Sequence, residues 1–185
     1  MPDSSSNFHL QQAVISLKSG GVIAYPTEGV WGLGCLWIDE AAIAEILRLK
    51  QRPLEKGMIV LCSQLSDIEQ FLLPLSDENR SQIEAEYPHP VTWILPCKLI
   101  VPTSVRGQHS SIAVRFSRHP LVQALCEKVG PIISTSANPT GLSAAMKVQE
   151  VRHYFHDQLS YILPGELGGF LKPSEIRTLD GHKVR

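Results

Sequence analysis

The chain has 185 residues, 17 lysines and arginines against 18 aspartates and glutamates, a net charge of -1 and 43% hydrophobic residues. That length suits one domain with a substantial core, expected over residues 1–185 with a disordered tail at 1–6. The near-neutral balance argues against a bulk nucleic-acid-coating protein but leaves room for a local basic surface. The first residues lack the basic and apolar pattern of a secretory signal, and no apolar run approaches membrane-spanning length. Cys35, Cys62, Cys97 and Cys126 are widely spaced, with no CxxC pair, and read as reduced, buried residues of a cytoplasmic protein. No clustered ligand set marks a metal site.

Apolar residues at Leu10, Ala13, Val14 and Leu17 predict a helix over Phe8–Leu17, ended by Gly20-Gly21. Val22–Tyr25 reads as a buried strand stopped by Pro26, and 27–34 as a glycine-rich loop. Asp39 is a good N-cap for a helix through Leu49 that ends at Arg52, before Pro53. Further strands are expected at Gly57–Cys62, Val91–Leu95, Ser111–Phe116, Ile132–Ile133 and Tyr161–Leu163. Two short helical segments are expected within 66–86, and helices at Pro120–Val129 and Val148–Gln158. A late hairpin is expected around Asp180-Gly181. Strands alternating with helices indicate an α/β sheet with covered faces.

Charge is unevenly laid out. Residues 66–86 carry six acids against Arg80, whereas 87–126 carry Lys98, Arg106, Arg115 and Arg118 and no acid. These are either two solvated faces or, with Lys50, Arg52 and Lys56, a positive concavity for anions.

Lys50-Gln51-Arg52-Pro53 places two cations at a helix end, where they either pair with the helix dipole or grip phosphate oxygens. Ser134-Thr135-Ser136-Ala137-Asn138 follows an apolar strand. It reads either as a nest of donors for an anion or as an ordinary strand-to-loop turn. Tyr25-Pro26-Thr27-Glu28 and the glycines after it match neither a P-loop nor a dinucleotide-binding fingerprint. Arg115 on an apolar strand needs an anion, from the protein or from a ligand. Many cations and donors with little evident general base fit phosphoryl or nucleotidyl transfer.

Several segments in order resemble the YrdC/TsaC family of bacterial threonylcarbamoyl-AMP synthases. They are Tyr25–Glu28, Gly32-Leu33-Gly34, Lys50–Pro53, Lys56-Gly57, Pro90-Val91-Thr92, Ala113-Val114-Arg115, Ser134–Asn138 and Pro173–Arg177. The resemblance runs from about residue 8 to about 180 and implies a single-domain twisted mixed α/β sheet flanked by helices. That fold, which is similar to the dihydroxybutanone phosphate synthase fold, would carry in this family a large positively charged concave cavity. It implies condensation of L-threonine, bicarbonate and ATP to threonylcarbamoyl-AMP and pyrophosphate. The product would serve modification of adenosine 37 in tRNAs reading ANN codons, with other proteins doing the transfer. The family signature falls on Lys50, Arg52, Ser136 and Asn138 as catalytic residues, and its threonine-binding groups on Thr27 and Arg115. Ser134, Thr135 and Lys56 would join substrate binding, with Mg²⁺ bridging the ATP phosphates. His89 replaces the family's glycine between two prolines, Gly29 stands where many relatives have threonine, and the longer branch's extra C-terminal domain is expected to be absent. The competing expectation is a non-catalytic module holding tRNA or double-stranded RNA, whose binding would weaken steeply with salt.

Overall fold

The computed structural model describes residues 4–53, 57–170 and 174–184. Its strands are β1 (Ile23–Pro26), β2 (Trp31–Gly34), β3 (Ile59–Cys62), β4 (Val91–Pro96), β5 (Ser111–Phe116), β6 (Ile132–Ser136), β7 (Tyr161–Ile162) and β8 (Glu175–Thr178). They form one mixed sheet in the order β7-β1-β2-β6-β3-β5-β4-β8. The helices are α1 (Ser4–Lys18), α2 (Glu40–Lys50), α3 (Asp77–Glu84), α4 (Thr103–Arg106), α5 (Pro120–Val129) and α6 (Val148–Phe155). Among the described residues no helix is long and apolar enough to cross a membrane.

The two faces of the sheet are used differently. Alternation along a strand sends successive side chains to opposite faces. On one face Ala24, Leu33, Val60, Cys62, Val114 and Ile133 join Ile43 and Ile46 of α2 and Phe155 of α6 in the larger core. On the other, Ile23, Tyr25, Leu61 and Ile132 pack beneath Leu10, Ala13 and Leu17 of α1 and Val122 and Leu125 of α5. Each fully buried Leu or Ile side chain in such a layer contributes about 1.5–3 kcal/mol. The covered part of this second face stops short of β5, β4 and β8. There Ser111, Ala113, Arg115, Ile94 and Ile176 border an open cleft instead.

Several boundaries differ from expectation. Helix α1 begins at Ser4 and takes in residues expected as tail, since first-turn positions need no apolar face. Residues 31–34 form a strand, not a loop, paired antiparallel with β1. Glycine there serves close packing: a Cβ on Gly34 would lie 2.4 Å from the Ile133 carbonyl oxygen and 2.8 Å from the Tyr25 ring. Strand β6 extends to Ser136, so most of the hydroxyl run is sheet. The first of the two helical segments expected in 66–86 is a pair of 3-10 turns (Leu65–Asp67 and Glu69–Phe71), and the short helix α4 carried no readable apolar period. The helix expected over Val148–Gln158 breaks at His156, which has φ 46°.

Asp39 caps α2 as expected, its Oδ1 accepting from the Ala42 amide at 3.0 Å. The helix stops at Lys50, not Arg52, because Gln51 turns left-handed with φ 51°. The Gln51 amide donates to the Arg48 carbonyl (3.1 Å) and the Arg52 amide to the Leu47 carbonyl (3.0 Å), a glycine-type termination made by a residue with a side chain. Gln51→Gly is expected to raise stability by about 0.5–1 kcal/mol. Urea denaturation measures it, and an unchanged or lower midpoint would show that the Gln51 side chain compensates its backbone.

Strand β8 closes the sheet at the cleft. Glu175 on it receives Arg177 Nε at 2.7 Å and meets His89 Nε2 at 2.6 Å, so the histidine that departs from the family pattern anchors this edge. Arg177 in turn lies 5.1 Å from the centre of the Tyr87 ring. The Arg177 hydrogen bond first, then that of His89, holds the Glu175 carboxyl below its ordinary 4.5, at about 2. A depressed carboxyl contributes stability that is full above the unfolded value and lost as pH falls through the folded one. Wild type is therefore expected to lose its stability advantage over Glu175→Gln between pH 4.5 and about 2. Parallel melting curves of the two proteins across that window would contradict this.

Candidate active site

The end of α2 sends its two cations in different directions. Lys50 is 3% exposed. Its Nζ donates to the Ser136 carbonyl, to the Asn138 carbonyl at 2.7 Å and to Asn138 Oδ1 at 3.4 Å. Its own carbonyl accepts from the Thr140 amide at 2.8 Å. Burial, then the neighbouring Arg52 charge, pulls the amine down to about 8; the three oxygens around it hold the proton against that pull. Lys50 is thus a tether for the 136–140 segment and does not border the cleft. Arg52 does border it. Its Nη2 donates to the Gly57 carbonyl at 3.2 Å, while its buried Nε has no hydrogen-bond partner among the described residues.

Beyond β6 the expected nest of free amides is not present. The Ala137 amide is taken by the Trp31 carbonyl (2.8 Å) and that of Asn138 by the Ser136 carbonyl (2.9 Å). Asn138 Nδ2 donates to the Pro139 and Leu142 carbonyls at 3.1 and 2.6 Å, so Asn138 shapes this loop from within. Ser134, Thr135 and Ser136 border the cleft; Thr135 is paired with Leu33 and its side chain lies on the opposite face of the sheet, so the run's offer to a ligand there is the hydroxyls of Ser134 and Ser136.

Opposite them, the amide and Oγ1 of Thr27 both donate to the Val30 carbonyl, at 3.1 and 2.7 Å, in a tight turn after β1. That turn fixes Glu28, which is 5% exposed. Glu28 Oε1 accepts from Ser117 Oγ at 2.5 Å and from the Arg118 amide at 3.2 Å. Arg115 Nε donates to Thr92 Oγ1 (3.1 Å) and Nη2 to Ser174 Oγ (2.7 Å), and Nη1 lies 3.9 Å from Glu28 Oε2. The anion that an arginine on this strand requires therefore includes an internal carboxylate.

The cleft has a volume of about 800 Å³ and gathers Thr27, Arg52, Arg115, Ser134, Thr135 and Ser136. Lys50 and Asn138 stand behind it, and Lys56 lies outside the described residues. Arg52, Arg106 and Arg115 are its cations among the described residues, and Glu28 is its acid. Sequence reasoning counted Arg106 only among the cations of a possible positive concavity and gave no role to Ser174 or Glu28. Arg106 is held at the rim by the Val101 and His109 carbonyls, at 3.1 and 2.8 Å. Ser174 directly precedes β8, and strand pairing brings it to Thr92 of β4 and Arg115 of β5, both far from it in sequence. Glu28 stood in plain sight as a lone acid after a strand, but its partners Ser117 and Arg118 are distant in sequence.

Fold and cleft together define an α/β protein with an arginine-bordered cleft on the open half of a mixed sheet. The Sua5/YciO/YrdC family model, described as telomere recombination, matches residues 16–185, and the chain belongs to that family. A threonylcarbamoyl-AMP synthase of Marinobacter nauticus is 49% identical over 180 residues, 95% of each chain. Another, from Cellvibrio japonicus, is 44% identical over 187 residues, covering 100% of this chain and 99% of that protein. P. abyssi Sua5 in complex with L-threonine has a TM-score of 0.85 at 27% identity, over 92% of this chain and 51% of that one. E. coli YciO has a TM-score of 0.78 at 27% identity, over 97% and 90% of the two chains.

Proposed function

We propose that this chain is a threonylcarbamoyl-AMP synthase, condensing L-threonine, bicarbonate and ATP to threonylcarbamoyl-AMP and pyrophosphate. The observation that carries the reading is near-full-length similarity to synthases of that name, joined to a cleft that presents arginines and hydroxyls on one sheet face.

The chemistry asks little of acids and bases. Threonine's amine adds to carbon dioxide derived from bicarbonate, giving a carbamate whose oxygen is already anionic. That oxygen attacks the α-phosphorus of ATP, an oxygen–phosphorus bond forms, and pyrophosphate leaves with the electrons of the broken bond. Catalysis is then alignment and neutralisation of the meeting anions. Arg52 would hold the triphosphate, and Lys56 is assigned there on sequence grounds. Arg115 would pair with the threonine carboxylate, with Thr27 close to the substrate amine. Ser134 and Ser136 would orient phosphate or carbamate oxygens, with Thr135 turned to the other face between them, while Lys50 and Asn138 hold those hydroxyls in place.

Among the described residues no three His, Cys, Asp or Glu side chains are grouped to hold a metal ion. A Mg²⁺ ion would fit this cleft only as part of the nucleotide complex, bound by phosphate oxygens and water, and would supply charge neutralisation there. The product would be passed to proteins that modify adenosine 37 of tRNA, in the cytoplasm; the four cysteines are buried and unpaired, as a reducing compartment allows. Incubation with ATP, L-threonine and labelled bicarbonate should give labelled threonylcarbamoyl-AMP by mass spectrometry. Salt-sensitive tRNA binding without that product would overturn the reading in favour of an RNA-binding module.

A further inference from the structure

Residues 163–170 run as a strap along the turn that follows β1. The Leu163 amide donates to the Ala24 carbonyl at 2.8 Å, the Gly168 amide to that of Thr27 at 3.0 Å and the Phe170 amide to that of Glu28 at 2.9 Å. Between the first two bonds the chain advances three residues on the β1 side and five on the strap side. The strap therefore carries two surplus residues as a bulge, and a bulge free to move along a pairing shifts every residue beyond it. Among the described residues, 164–167 make no backbone hydrogen bond that would stop such a shift. Beyond them lies Phe170, 39% exposed in the wall of the cleft.

His119 meets the strap at the bulge. Its Nε2 lies 2.8 Å from the Glu166 carbonyl oxygen, and because a carbonyl only accepts, Nε2 carries the proton. Nδ1 is then the bare nitrogen, buried with no hydrogen-bond partner among the described residues. An apolar side chain would fill this place without leaving such an acceptor, so what the imidazole adds is its bond to the strap. The residue is itself firmly seated. Its amide donates to Ser117 Oγ at 3.2 Å, and its carbonyl accepts from the Gln123 amide at 2.9 Å in the first turn of α5. Beside it Gly165 packs against Leu121, and a Cβ there would sit 3.0 Å from Pro26 Cγ.

We propose that His119 is a positioning residue of the cleft: by holding the Glu166 carbonyl it fixes the register of the strap, and so the place of Phe170 in the cleft wall. The inference rests on the threonine reading for its kinetic readout. Phe170 is bonded to Glu28, the residue after Thr27, and so stands at the end of the cleft assigned to threonine. A one-residue slip of the bulge turns its ring away and leaves bound threonine open to water on that side. Ground state and transition state lose that cover alike, which weakens binding without slowing turnover.

Steady-state pyrophosphate release with L-threonine varied tests this. His119→Ala is expected to raise KM for threonine about tenfold, with kcat within about twofold and KM for ATP unmoved. His119→Gln, which keeps a donor at similar reach, should stay within about threefold of wild type. In a Phe170→Ala background His119→Ala should add no further rise, since both changes remove the same ring. A loss carried by kcat, a fully additive rise in the double variant, or a folded His119→Gln as impaired as His119→Ala would overturn the proposal. Should His119→Ala not fold, His119→Leu keeps volume without the donor and takes its place. Hydrogen exchange gives a readout independent of activity. The Gly168 and Phe170 amides should exchange about tenfold or more faster in His119→Ala, with those of α1 unmoved, and unchanged exchange overturns the inference. Wild type whose release ignores threonine would remove the threonine reading alone, and the exchange result would still decide the role of His119.

Discussion

Arg52→Ala is expected to lower ATP-dependent pyrophosphate release by about 10³-fold while leaving the melting temperature within a few degrees. Arg52 borders the cleft with a buried Nε that lacks a partner, and its bond to Gly57 is a single 3.2 Å contact. Removing it costs the fold little. What is lost is a planar donor fork held close to the phosphates, and its largest effect falls where charge builds on the departing pyrophosphate. Arg52→Lys keeps the charge but not the fork and should recover only part of the rate. Steady-state kinetics decide the matter: an Arg52→Ala enzyme within tenfold of wild type would remove the triphosphate from this residue.

Lys50→Ala should behave differently, losing stability and activity together. Its side chain threads to two carbonyls and one amide oxygen of the Ser136–Asn138 segment, all in a place that water barely reaches. Truncation leaves those acceptors buried without a donor, an effect of about 2–4 kcal/mol. The released loop then lets the hydroxyls of Ser134 and Ser136 drift, and kcat is expected to fall by about 10²-fold or more. Lys50→Met, which keeps the volume but donates nothing, should show the same pairing of defects. A Lys50→Met protein with full stability and lost turnover would instead make Lys50 a direct phosphate ligand.

The contrast between these two neighbours shows where reading the sequence reached its limit. Lys50 and Arg52 look alike as a cation pair before a proline, and the sheet, the N-cap at Asp39 and Pro120 opening α5 were all legible from local pattern. What separates the pair is the left-handed turn at Gln51, a residue with no sequence signal for that conformation. The same holds for the hydroxyl run. Its small side chains were visible, but whether its amides were free depended on Trp31 of β2, about a hundred residues earlier in the chain. Glu28, Ser117 and Arg115 meet only after β1 and β5 are placed on opposite sides of β6 and β3. Local chemistry was readable; the pairing of distant strands was not.

The central claim is tested most directly by measuring pyrophosphate released from ATP by the purified chain, with L-threonine and bicarbonate supplied together, singly and not at all. The account predicts release only when both are present, and its collapse in Arg52→Ala. Release that ignores threonine, or none under any combination from a folded protein, would contradict it.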